Sequence, residues 1–117
     1  MKYLFAPIIF SMIVVAGNVA AADLNGEWIG SQSCSNDYGA TSENIDITIN
    51  QIGDYFTTHN TSSQTCGGVL DGKKISISCP DYTIAYGELQ GKTMYFINHN
   101  PLPTEGKTCK GSVTRTN

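Results

Sequence analysis

The groups best able to do chemistry in this 117-residue chain are four cysteines, two histidines and a scatter of carboxylates. His59 and His99 lie outside any Gly-x-Ser-x-Gly or His-Glu-x-x-His pattern, and no Gly-rich phosphate loop is present. Glu27, Asp46, Asp54, Glu88 and Glu105 could supply an acid pair only if folding brought two of them together. Cys34, Cys66, Cys79 and Cys109 include no Cys-x-x-Cys pair and no neighbouring histidine, which argues against zinc and against a redox dithiol. The chain therefore reads as non-enzymatic, with no catalytic residue, no metal and no cofactor.

What the cysteines do depends on compartment, and the amino terminus indicates one. Lys2 gives a positive start, Leu4–Ala16 is apolar apart from Pro7 and Ser11, and Ala20-Ala21-Ala22 supplies the small residues of a cleavage site. Residues 1–22 are read as a cleaved signal peptide, after which no stable membrane insertion is expected. The mature chain, Asp23–Asn117, is then a single domain in the periplasm or outside the cell. The short start suits a bacterium, and four cysteines in such a chain are expected to form two disulfides. Three connectivities are open at this point.

Stepping the hydrophobic count along the chain shows why crosslinks would matter. Of 47 hydrophobic residues, 17 lie in 1–22, leaving 30 among the 95 mature residues. A domain of this size and polarity has a thin core. The mature net charge is −4, with six basic and ten acidic residues spread from Asp23 to Glu105. That balance disfavours nucleic acid and acidic lipid as partners.

Threonine, serine, asparagine and glycine make up 40 of the 95 mature residues, and no window carries a sustained helical stripe. Alternation is plain instead. Ile45, Ile47 and Ile49 alternate with Asp46, Thr48 and Asn50, and Ile75, Ile77 and Cys79 alternate with serines. Eight strands are predicted: Leu24–Cys34, Asn44–Gln51, Tyr55–Thr61, Thr65–Leu70, Lys74–Cys79, Tyr82–Leu89, Thr93–Asn98 and Lys107–Thr116. Turn signals at Gly53-Asp54, Asp71-Gly72, Pro80-Asp81 and Gln90-Gly91 join them as hairpins, with Ser35–Glu43 and His99–Gly106 as longer polar loops. No fixed-period sequence repeat is apparent. The fold expected is an all-β, antiparallel up-and-down meander closing into a small disulfide-stabilised barrel.

Register ranks the disulfides. A two-residue turn at Asp71-Gly72 sets Cys66 opposite Ile77 and on the same face as the adjacent Cys79, which favours Cys66–Cys79. Cys34 and Cys109 then remain to tie the first strand to the last. A turn at Gln90-Gly91 sets Tyr86 opposite Tyr95, Ile84 opposite Ile97 and Tyr82 opposite His99. Tyr82, Tyr86, Tyr95 and His99 thereby share one face and are the candidate ligand-binding residues. Met94 and Phe96 take the opposite face, so one of the two sets must be partly exposed.

The stretch Leu24-Asn25-Gly26-Glu27-Trp28-Ile29-Gly30 resembles the first strand of the lipocalin, fatty-acid-binding and avidin type of barrel, through its Gly-x-Trp. The resemblance implies that Trp28 is a structural plug at one barrel end, with a ligand entering the other. The chain is shorter than usual members, lacks the lipocalin carboxy-terminal helix and has no later tryptophans, which argues against a large cavity. Small periplasmic lysozyme-inhibitor barrels are similar in size and disulfide use, an analogy of architecture that transfers no residue. The expected function is binding of a small apolar ligand or a protein partner. The alternative is a secreted inhibitor or effector that engages a host or competitor enzyme through its two long loops.

Overall fold

Strands with one apolar face must cover that face, and eight of them can do so by curling the sheet onto itself. The computed structural model, which describes residues 22–36, 39–60, 64–101 and 106–116, has this arrangement. Its strands are β1 (Gly26–Asn36), β2 (Gly39–Ile52), β3 (Tyr55–Asn60), β4 (Thr65–Asp71), β5 (Lys74–Ser78), β6 (Ile84–Gln90), β7 (Thr93–Asn100) and β8 (Lys107–Arg115). Each pairs antiparallel with its neighbours in chain order, and β8 pairs with β1 to close the barrel. The all-β fold class, the meander and the closure are as the sequence indicates. Of residues 1–22, read from the sequence as a signal peptide, 1–21 lie outside the described residues, among which no helix is long and apolar enough to cross a membrane.

Two registers differ from expectation. The hairpin turns fall on Gly72-Lys73 and Gly91-Lys92, so that Asp71 pairs with Lys74 and Gln90 with Thr93. In both, as at Gly53-Asp54, glycine takes the first turn position with φ of +61° to +63° while the second residue keeps negative φ. That is the pattern of a type II′ turn, which matches strand twist and wants glycine first. Placing Asp71 or Gln90 there would force a side chain into the left-handed region. The pairing therefore shifts by two residues. Tyr86 meets Ile97, Glu88 meets Tyr95, and Ile84 meets His99. Because the shift is even, every residue keeps its predicted face.

The same three glycines, Gly53, Gly72 and Gly91, recur every 19 residues, a period hidden at the sequence level by the dissimilar strands between them. Strand limits also move, most of all at the start of β2. Tyr82 stands before β6 in a tight turn, at φ +71°, where its N–H donates to the Cys79 carbonyl at 3.0 Å. β2 begins at Gly39, so most of the expected Ser35–Glu43 loop is ladder, with Ser33 opposite Ser42 and Cys34 opposite Thr41. Once Ile45, Ile47 and Ile49 fix the β1–β2 register, polar residues extend it without needing a core.

The core gathers Leu24, Trp28, Ile49, Phe56, Leu70, Ile75, Leu89, Met94 and Val113 at the hairpin end of the barrel. The β1–β8 seam is tight. A Cβ on Gly30 would stand 1.9 Å from the Ser112 carbonyl oxygen, and one on Gly111 would stand 2.2 Å from that of Ser31. Only glycine permits the two backbones to approach this closely.

Candidate functional site

The barrel's two ends differ because residues 22–25, ahead of β1, seal one of them. Trp28 is almost wholly buried and donates from Nε1 to the Leu24 carbonyl at 2.8 Å. Leu24, equally buried, donates its N–H to Gln51 Oε1, and Gln51 Nε2 donates to the carbonyls of Ala22 and Gly53. From β8, Arg115 donates to the Asp23 carbonyl. The residues preceding β1 are in this way strapped across the hairpin end, with Trp28 beneath them. The Asp23 carboxyl is held below its usual range, chiefly by the Asn25 N–H and side-chain amide, with Arg115 adding a smaller effect.

Above this floor lies a cavity of about 430 Å³, within the roughly 300–1,000 Å³ usual for small-molecule pockets. Its lower wall is apolar, formed by Ile47, Ile75, Ile77, Ala85 and Phe96. Its upper wall, at the end bearing the longer connections, is polar. There Gln32, Glu43, Asn98 and Lys107 face inward from four consecutive strands, β1, β2, β7 and β8. Asn98 Nδ2 donates to Gln32 Oε1 at 2.8 Å, Gln32 Nε2 donates to Glu43 Oε1 at 3.0 Å, and Lys107 Nζ donates to Glu43 Oε2 at 2.7 Å. The Lys107 ammonium, with help from the Gln32 amide, holds the Glu43 carboxyl below the usual glutamate range against the opposing effect of its burial.

Across the rim, Asn60 and Gln64 bond each other through both backbone and side chain. Burial disfavours ionisation of Asp81. The Thr83 N–H and hydroxyl and the Gln64 side chain outweigh that effect and keep the carboxyl below its usual range.

Both disulfides sit at this level. Cys34 and Cys109 are direct partners of β1 and β8, and Cys66 joins Cys79, one residue past the end of β5, with Cα separations of 4.0 and 4.4 Å. The corrected β4–β5 register puts Cys66 directly opposite Cys79 rather than beside it, because the turn starts at Gly72. No described cysteine is free.

The four aromatic and histidine candidates are elsewhere. Tyr82, Tyr86, Tyr95 and His99 are exposed on the outer surface, while Met94 and Phe96 point inside. The face conflict posed by the sequence is thus settled with the tyrosines outside, where Tyr86 and Tyr95 flank an open groove with Ile97 and Lys110. The two histidines are equivalent: His59 Nδ1 shares a hydrogen bond with Thr65 Oγ1, and His99 Nδ1 with Thr108 Oγ1, each at 2.9 Å across a strand pair. Glu27 and Asp46 do meet, also outside, and the Asp46 charge raises the Glu27 pKa. Both remain exposed to solvent. Among the described residues no group of three or more metal-binding side chains assembles.

The polar upper wall is what sequence reasoning missed. Its signal was parity: Gln32, Glu43, Asn98 and Lys107 share the odd-even phase of Cys34, Ile45, Phe96 and Cys109, and so belong to the same inner face. No protein-family model matches the chain, and no curated protein matches it.

Proposed function

We propose that this chain is an exported, non-enzymatic binding protein that holds a small, largely apolar molecule inside its barrel. The observation that carries the reading is the cavity of about 430 Å³, apolar below and lined by amides above, sealed at the other end by Trp28 and Leu24. Apolar walls with a few convergent polar groups are the usual composition of a ligand pocket. The closed eight-strand barrel and the Gly26-x-Trp28 placement support kinship with lipocalin- and avidin-type barrels. Two internal disulfides and the apolar, Ala-ended segment 1–22 support export.

A second reading has its own observation. Tyr86, Tyr95 and Ile97 expose 63%, 49% and 57% of their surface on the outside of β6 and β7, an aromatic patch suited to a protein partner. The two readings separate in one experiment. The exported protein, purified after expression of the full chain, is incubated with a lipid extract and analysed by native and then denaturing mass spectrometry. A stoichiometric small molecule that survives purification supports the cavity. Its absence, together with a Tyr86→Ser variant that loses a protein partner of defined stoichiometry, favours the outer face.

A further inference from the structure

We infer that the cavity takes an uncharged amphiphile, an apolar chain or ring ending in a hydroxyl, carbonyl or amide, and rejects the corresponding carboxylate. The inference rests on the binding reading above and adds the charge of the ligand. Lys107 carries the only ammonium among the described residues lining the cavity, and Glu43 already holds it at 2.7 Å. The other oxygen of Glu43 is met by Gln32, whose own oxygen is met by Asn98. This four-residue chain is therefore neutral as a unit.

Asp81 adds a further negative charge on the opposite side of the rim. The other inward-facing cation, Arg115, lies at the sealed end and is bonded to Asp23. A carboxylate entering between these walls would face an ion pair without net charge and the Asp81 carboxylate, in a partly desolvated space. A buried anion without a counter-charge is strongly disfavoured. A neutral head fares differently. Gln32 Nε2 and Asn98 Nδ2 each use one hydrogen within the chain and have a second to donate, and a hydroxyl or carbonyl oxygen accepts it without changing the net charge.

The test is calorimetric titration of the full exported protein with octanol and with octanoate at neutral pH, repeated on Glu43→Gln and Lys107→Met. The expected result is binding of octanol at least about tenfold tighter than octanoate, a difference of about 1.4 kcal/mol. Glu43→Gln frees the ammonium, and should narrow that ratio by raising octanoate affinity more than octanol affinity. Lys107→Met should widen it. Circular dichroism melts of both variants establish that they fold. Equal binding of the two probes by the unaltered protein overturns the inference and leaves the cavity reading standing, as does a ratio that Glu43→Gln does not move. Failure of both probes to bind overturns the inference and the cavity reading together.

Discussion

Cys34 on β1 and Cys109 on β8 face each other as direct register partners, with Cα atoms 4.0 Å apart, across the one seam where the first and last strands meet. Every other strand pair is joined by a connection of the chain itself, and this pair is not. The crosslink closes a loop of 75 residues, against 13 for Cys66–Cys79. Gly30 and Gly111, on the same seam, permit the close approach that the disulfide fixes.

Loop entropy ranks the two crosslinks. Removing Cys34–Cys109 by paired serine substitution should cost about 4.5 kcal/mol, and removing Cys66–Cys79 about 3 kcal/mol. The larger figure approaches the whole stability of a small domain. Urea denaturation of the two double variants checks the order. An unchanged midpoint in excess reductant would show that the strand ladders alone hold the barrel.

Trp28 should be the most costly single truncation. It is 1% exposed and seats its indole N–H on the Leu24 carbonyl. Trp28→Ala is expected to lose roughly 3–5 kcal/mol, and Trp28→Phe less, mainly the roughly 1 kcal/mol of the hydrogen bond. Chemical denaturation measures both, and a loss below about 1 kcal/mol for the alanine variant would show that the strap over the hairpin end bears no load.

Most of the architecture was legible because β-strand periodicity is a local signal. Ile45, Ile47 and Ile49 fix one face, and a closed meander follows from eight such strands with short turns. Two of the turn positions were not, because Asp-Gly and Gly-Lys are both plausible hairpin dipeptides, and only the requirement for glycine at the positive-φ position separates them. That even-numbered slip left the faces intact, which is why the disulfide partners were still ranked correctly. The site was less legible. Tyrosines attract attention as binding residues, but Tyr86 and Tyr95 share phase with Glu88 and Ser112 on the outside, whereas the inward amides Gln32 and Asn98 look in sequence like ordinary surface residues. Which face of a strand lies inside is decided by the closure of the whole barrel.

The ion pair at the rim gives a pH dependence of defined sign. The Glu43 pKa is lowered by Lys107 and Gln32, so between the folded and unfolded values the unfolded chain binds more protons. The contribution is fully present above the ordinary glutamate value of 4.5 and is lost as pH falls through the lowered folded value. Both side chains are 39% exposed, and solvent screening limits the pair to about 1 kcal/mol or less. Glu43→Gln should accordingly melt slightly below the unaltered protein at neutral pH and converge with it in acid. A gap that widened in acid would contradict the assignment.

Tyr95 and Phe96, adjacent on β7, test the inside-outside assignment most directly. Tyr95 is exposed beside Glu88 and Ser112, while Phe96 packs against the buried core and lines the cavity. Tyr95→Ala should change stability by no more than about 0.5 kcal/mol. Phe96→Ala should cost about 2–3 kcal/mol, less than a fully buried phenylalanine because one side already faces the cavity. It should also enlarge the space available to an apolar probe, so that octanol affinity changes in Phe96→Ala and not in Tyr95→Ala. Denaturation and calorimetry on the two variants give four numbers. If Tyr95→Ala were the variant that lost octanol, the tyrosine face and not the barrel interior would be where small molecules bind, since only the inner face of β7 adjoins the cavity.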